Sequence, residues 1–128
     1  MATVLIVDDE PNVVELVRVT LEDDRVHVIA AMSGTEALEL VATGRPDLIL
    51  LDVNLPDLSG FEVCRRVRRE PHLAGSRIVM LTAAAQREDV RAGLAAGADE
   101  YLTKPFSPVR LLSLVEALVP GLTLWARK

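Results

Sequence analysis

The chain has a single cysteine, Cys64, so an internal disulfide is excluded and a reducing setting is the simplest expectation. Its place in a helical pattern suits a small buried apolar residue, with a surface thiol as the alternative. Basic charge is also short: 14 Lys and Arg face 19 Asp and Glu, for a formal net charge of -5. That balance argues against direct nucleic-acid binding, which usually needs a basic stripe, and leaves metals open. No apolar run approaches transmembrane length. Met1-Ala2-Thr3-Val4 carries no basic leader region and runs straight into a strand pattern. A soluble, cytoplasmic protein without membrane partners is expected. Zinc lacks a ligand set, because His27 and His72 are isolated and Cys64 stands alone. What is abundant is apolar: half of the 128 residues are hydrophobic, enough for one domain with a sizeable core and no second domain.

The apolar residues fall into short runs that alternate with helical patterns. Val4 to Val7 reads as an all-apolar strand ending in Asp8, Asp9 and Glu10. Pro11 then suits the first turn of a helix marked by Val13, Val14, Val17 and Leu21. Val26 to Ala31 is a second strand. Ser33 and Glu36 form a capping box for a helix through Val41, which Gly44 ends. In the stretch Asp47 to Pro56, Leu48, Ile49, Leu50 and Leu51 do not alternate, so both faces need burial, as in a central parallel strand. Asp52 closes that run, and turn formers follow it. Ser59 and Glu62 repeat the capping box for a helix to about Arg69. Ile78 to Leu81 is a fourth strand closed by Thr82, and an Ala-rich helix from Gln86 to Ala96 precedes Gly97 as its cap. Glu100 to Thr103 is a fifth, shorter strand followed by Lys104-Pro105-Phe106. Ser107 and Pro108 then start a helix with Leu111, Leu112, Val115, Leu118 and Val119 on one face. Five strands alternating with five helices imply an α/β fold, a parallel sheet covered on both sides with right-handed crossovers.

On that frame Asp8, Asp9, Asp52, Thr82 and Lys104 all lie at the carboxyl ends of strands, the edge where open α/β sheets bind ligands. Taken singly, Asp52 reads as a helix cap, Lys104 as a surface ion pair and Thr82 as a strand-end hydroxyl. Together, three acids and one lysine invite a divalent metal, because crowded carboxylates resist ionisation unless a cation offsets them. Mg²⁺ suits hard oxygen ligands and joins carboxylates to phosphate. A nucleophile, a metal and fixed positive charge are the parts that phosphoryl transfer needs. Asp52 would be the nucleophile, since carboxylates form aspartyl phosphates. Asp9 would hold the metal, Asp8 would act through a water or supporting contact, and Lys104 and Thr82 would contact the phosphoryl oxygens.

The pieces VLIVDDEP, LILLDVNLPDLSG, IVMLTA and YLTKPF resemble the receiver domains of two-component response regulators, from Thr3 to about Val119. The resemblance implies a flavodoxin-like, doubly wound sheet of order 2-1-3-4-5 and a receiver domain over residues 3–119, with 120–128 a tail or the start of a linker. It implies that Asp52 is the phosphoacceptor and that Asp9, Asp52 and the backbone carbonyl of Asn54 bind Mg²⁺, assisted by Asp8. Thr82 and Lys104 match the family's switch hydroxyl and lysine, Tyr101 matches the aromatic that reports phosphorylation, and Lys104-Pro105 is expected to be cis. The implied partners are a sensor histidine kinase or phosphotransfer protein and an output domain or downstream protein. A homodimer through the fourth helix, fifth strand and fifth helix is a further expectation.

Ala84, two residues after Thr82, offers no hydrogen bond to position a water, which leaves Asn54 for that role. Arg65, Arg66, Arg68 and Arg69 are read as a solvated face paired with Glu62. Two alternatives bear comparison. An aspartate-dependent phosphohydrolase uses a second Asp where this chain has Asn54, and 128 residues leave no room for a substrate cap. A pseudo-receiver that only binds partners would lack an acidic-pocket residue, and none is missing. No helix-turn-helix or catalytic domain follows the last helix, so a stand-alone regulator and an excised receiver both fit, and the apolar Leu122-Thr123-Leu124-Trp125 suits packing or a linker.

Overall fold

Among the described residues, strands and helices alternate along the chain. The computed structural model describes residues 1–83 and 87–122. Within them, β1 (Ala2–Val7), β2 (Val26–Ala31), β3 (Leu48–Asp52), β4 (Arg77–Thr82) and β5 (Glu100–Thr103) alternate with α1 (Pro11–Leu21), α2 (Gly34–Thr43), α3 (Gly60–Arg68), α4 (Arg87–Ala96) and α5 (Pro108–Leu118). All pairings are parallel and the order is β2-β1-β3-β4-β5, as expected from the sequence. Ala84, Gln86 and the segment Thr123 to Trp125 lie outside the described residues. A 3-10 turn, Pro71–Leu73, stands between α3 and β4, where the sequence pattern shows no element.

The unbroken apolar runs are explained by two separate cores. Val4, Ile6, Leu48, Leu50, Val79 and Leu81 point to one face, where Val17 and Leu21 of α1 and Leu111 and Val115 of α5 cover them. Leu5, Val7, Ile49, Leu51, Ile78 and Met80 point to the other, beneath Ala37 and Val41 of α2 and Val63, Cys64 and Val67 of α3. Because side chains alternate along a strand, only a run apolar at every position satisfies both layers. Cys64 is fully buried, its Sγ 3.4 Å from the Ala96 carbonyl. Burial pushes its thiol pKa up to about 11, so it is a core residue and not a surface nucleophile.

The helix signals hold with two refinements. Ser33, Ser59 and Ser107 each accept a hydrogen bond from the backbone N–H three residues on, capping α2, α3 and α5. Glu36 reaches back to the Met32 N–H, but Glu62 turns forward to Arg65 and Arg66. Neither Glu thus closes its box on the cap serine itself: Glu36 holds the residue before Ser33, and two guanidinium groups hold the Glu62 carboxylate. Gly44 closes α2 with extended backbone, whereas Gly97 takes φ +107° after α4, a region that favours glycine.

Arg68 departs from the solvated arginine face. Its guanidinium donates to the Gly97 carbonyl at 2.8 Å, the Ser76 carbonyl at 2.7 Å and Asp99 Oδ2 at 2.7 Å. Asp99 also accepts from the Ile78 N–H. Arg68 therefore ties α3 to the segments entering β4 and β5, at the sheet edge opposite the strand-end acids. Arg65 and Arg66 remain exposed partners of Glu62.

Candidate functional site

Strand register decides which polar groups meet. Val7 lies opposite Leu51 and Asp52 opposite Leu81, so Asp8 and Asp52 are successive groups at one end of adjacent central strands. Thr82 lies opposite Thr103, and the Lys104 N–H donates to the Thr82 carbonyl at 2.7 Å. The Lys104-Pro105 bond is cis. Lys104 Nζ is thereby brought 2.8 Å from Glu10 Oε1, 3.0 Å from Asp8 Oδ2 and 3.4 Å from Asp52 Oδ2. Asp8 is fully buried, and Asp52 and Thr82 are nearly so.

The structure places Asp8, rather than Asp9, in this cluster. The Asp8 N–H still pairs with the Ala31 carbonyl, so Asp8 continues β1 inward. Asp9, the next residue, is exposed. Glu10, which sequence reasoning passed over, joins instead: oxygen atoms of Asp8, Glu10 and Asp52 lie within 4.8 Å of one another and could hold a metal ion. Glu10 is the extended residue that joins β1 to α1, and from there its carboxylate meets Lys104 at the strand ends. Only its run with Asp8 and Asp9 could have signalled this.

Electrostatics sharpen the picture. Burial raises the Asp52 pKa above its ordinary 3.8; the hydrogen bond from the Asn54 N–H lowers it, the Asp8 charge raises it, and Lys104 opposes the rise. For Lys104, burial disfavours the charged form, but hydrogen bonds to Glu10 and Asp8 and the Asp52 and Asp8 charges outweigh it and raise the pKa. Three carboxylates share one ammonium, so when all are ionised the cluster carries an excess of negative charge. Hard oxygen donors, excess negative charge and a mouth opened by the exposed Glu10 fit a hard divalent cation.

Asn54 is exposed on the loop between β3 and α3 and pairs with Ser59 across it. The loop closes through the Gly60 N–H, 2.8 Å from the Val53 carbonyl. Tyr101 lies away from the acids, half-buried beside Met80, Val90, Gly93 and Leu94 in a hollow between α4 and β5. No helix among the described residues is long and apolar enough to cross a membrane.

This architecture is shared. The family model for the response regulator receiver domain matches residues 4–116. The alkaline phosphatase synthesis transcriptional regulatory protein PhoP of Bacillus subtilis is 45% identical over 91% of this chain and 48% of its own length. The DNA-binding response regulator MtrA of Mycolicibacterium smegmatis is 41% identical over 89% of the chain and 49% of its own. The chain thus spans about half the length of these relatives. Among solved structures, the chemotaxis response regulator CheY4 of Vibrio cholerae matches with TM-score 0.87 and 38% identity, over 92% of this chain and 98% of that one. A putative response regulator from Chloroflexus aurantiacus gives 0.86 and 39%, over 92% and 97%. With its acids and lysine in place at the strand ends, and nothing pointing to a phosphohydrolase or a pseudo-receiver, the chain belongs to the response regulator receiver domain family.

Proposed function

We propose that Asp52 accepts a phosphoryl group from the phosphohistidine of a sensor histidine kinase or phosphotransfer protein. The observation that carries this is the convergence of the Asp8, Glu10 and Asp52 carboxylates on Lys104 Nζ. An Asp52 oxygen attacks phosphorus and the bond to the donor nitrogen breaks. The imidazole leaves with the electron pair, and an acyl phosphate remains. Lys104, 3.4 Å from Asp52 Oδ2, meets the charge that spreads over the phosphoryl oxygens, and Thr82 supplies a hydroxyl at the next strand end. Asp8, Asp9, Asp52 and the Asn54 carbonyl are the proposed Mg²⁺ ligands, with Glu10 a further candidate. When bound, Mg²⁺ would supply positive charge to offset the crowded carboxylates and the incoming phosphoryl group. The chemistry is confined to the chain's own Asp52, with gain and loss of its phosphoryl group and no turnover of other substrates.

Residues 3–119 are taken as the receiver unit, with 120–128 a tail or linker start. The signal leaves through α4, β5 and α5. A phosphoryl group drawing the Thr82 hydroxyl inward lets Tyr101 turn toward the vacated space. The helix proposed to move is α4, whose apolar pattern is poor and which carries Gly93. The receiver acts in the cytoplasm on an output domain or downstream partner, with a homodimer through the same face as one form. Relatives bear names of DNA-binding regulators; this acidic unit would govern such an output rather than touch nucleic acid itself.

Thermal melts with and without Mg²⁺ test the ligand assignment. The wild type should rise with Mg²⁺ as mass action requires, and Asp52→Ala should not respond. Comparing Asp9→Ala with Glu10→Ala then identifies the arm that Mg²⁺ recruits. Equal Mg²⁺ shifts in the wild type and all three variants would contradict a metal site here.

A further inference from the structure

The loop from Val53 to Ser59 carries Asn54 and leads from Asp52 into α3, yet its own backbone closure does not account for where it is anchored. The anchor is Asp57. Its Oδ1 accepts from the Gly34 N–H at 2.8 Å and its own neighbour Leu58 N–H at 2.8 Å. Its Oδ2 accepts from the Thr35 N–H at 2.9 Å and from the Thr35 hydroxyl. Four donors on one exposed carboxylate hold it well below the usual carboxylate range, the Thr35 hydroxyl first among them. It is ionised at any working pH.

These bonds are not needed merely to start α2. Ser33 already accepts from the Glu36 N–H, and Glu36 reaches back to Met32. Asp57 takes the two remaining first-turn donors from 22 and 23 residues away, and its charge lies where a helix N-terminus favours an anion. The two segments approach closely: a Cβ at Gly34 would come within 2.9 Å of Val63 Cγ2 and 3.0 Å of Leu58 Cβ. At the other end of the same loop, the Asn54 N–H is fixed on Asp52 Oδ1 at 3.1 Å. The loop is thus pinned at its tip by Asp57 and at its root by Asp52.

We infer that Asp57 is a positioning residue for the phosphoacceptor site: by fastening the loop tip to α2 it sets the place of the Asn54 carbonyl and so the affinity of the site for Mg²⁺. This rests on the Mg²⁺ and Asp52 assignment proposed above. Residues that orient ligands without touching the ion typically govern metal affinity by about 10- to 100-fold.

The test is a Mg²⁺ titration of the full chain followed by the Asn54 amide NMR shift, with no phosphodonor present. Asp57→Ala should weaken apparent Mg²⁺ affinity about tenfold, and Asp57→Asn, which keeps an acceptor but loses the charge, by less. Ser33→Ala is the control: it removes a helix cap, lowers thermal stability, and should leave Mg²⁺ affinity unchanged. Unchanged affinity in both Asp57 variants, or an equal loss in Ser33→Ala, overturns the inference while leaving the metal site standing. A wild type whose Asn54 amide does not respond to Mg²⁺ overturns both.

Discussion

Replacing Lys104 by Met should cost about 3 kcal/mol of stability at neutral pH, the range seen when one partner of a buried ion pair is removed. The Lys104 ammonium pairs with all three carboxylates, and its side chain is 13% exposed. Glu10 is 60% exposed, so that arm adds little. The loss comes from Asp8 and Asp52, which stay buried without their cation. The pH dependence follows from the two raised pKa values. The Lys104 contribution is complete below its ordinary 10.5 and disappears only as pH rises through the raised folded value, so at neutral pH all of it is present to lose. Asp52 is raised as well, and its contribution is complete below 3.8 and lost as pH rises through the folded value. An ionised Asp52 therefore burdens the fold at neutral pH. Asp52→Asn should raise thermal stability there, and the gain should fade as pH falls through the raised folded value and be gone below 3.8. Lys104→Met should also be partly rescued by Mg²⁺, which replaces the missing positive charge. Denaturant unfolding across pH checks all three, and equal stability of Lys104→Met and the wild type at neutral pH would contradict the cluster.

Gly60→Ala should cost about 3 kcal/mol, at the upper end of overpacking, and should impair phosphorylation out of proportion to its distance in sequence from Asp52. The first residue of α3 lies against the end of β3. A Cβ there would overlap the Asp52 carbonyl oxygen and come within 2.9 Å of the Asp52 carbonyl carbon and Val53 Cα. These are backbone atoms and cannot swing aside, so the strand end itself must move. Gly75→Ala is the matched control, because an added Cβ there meets nothing within 4 Å, and it should change stability by no more than about 0.5 kcal/mol. Chemical denaturation of the two variants, with phosphorylation measured in parallel, separates them. Similar small effects at both positions would mean that the close approach at Gly60 does not constrain the site.

These residues also mark how far the sequence could be read. Strands were legible because burial on both faces demands an apolar residue at every position, and Leu48 to Leu51 meet that demand without exception. Caps were legible because Ser33, Ser59 and Ser107 act on residues three positions away. Contacts between distant segments were not. The bond from Arg68 to Asp99 spans 31 positions and that from Asp57 to Gly34 spans 23, and nothing local distinguishes Arg68 from Arg65 or Arg66. The acid-lysine cluster was legible in kind, since four strand ends converge on one edge. Which of Asp8, Asp9 and Glu10 faces inward depends on the turn into α1, a geometric detail that adjacent acidic residues do not encode.

Phosphorylation itself is the most direct test. The wild-type chain is incubated with a small acyl phosphodonor and Mg²⁺, and the adduct is measured by intact-protein mass spectrometry and mapped by peptide. Receiver chemistry predicts one acid-stable, base-labile phosphoryl group on Asp52, absent from Asp52→Asn and absent when Mg²⁺ is chelated. No adduct on the wild type, an unchanged adduct on Asp52→Asn, or sustained turnover of a generic phosphomonoester would contradict it.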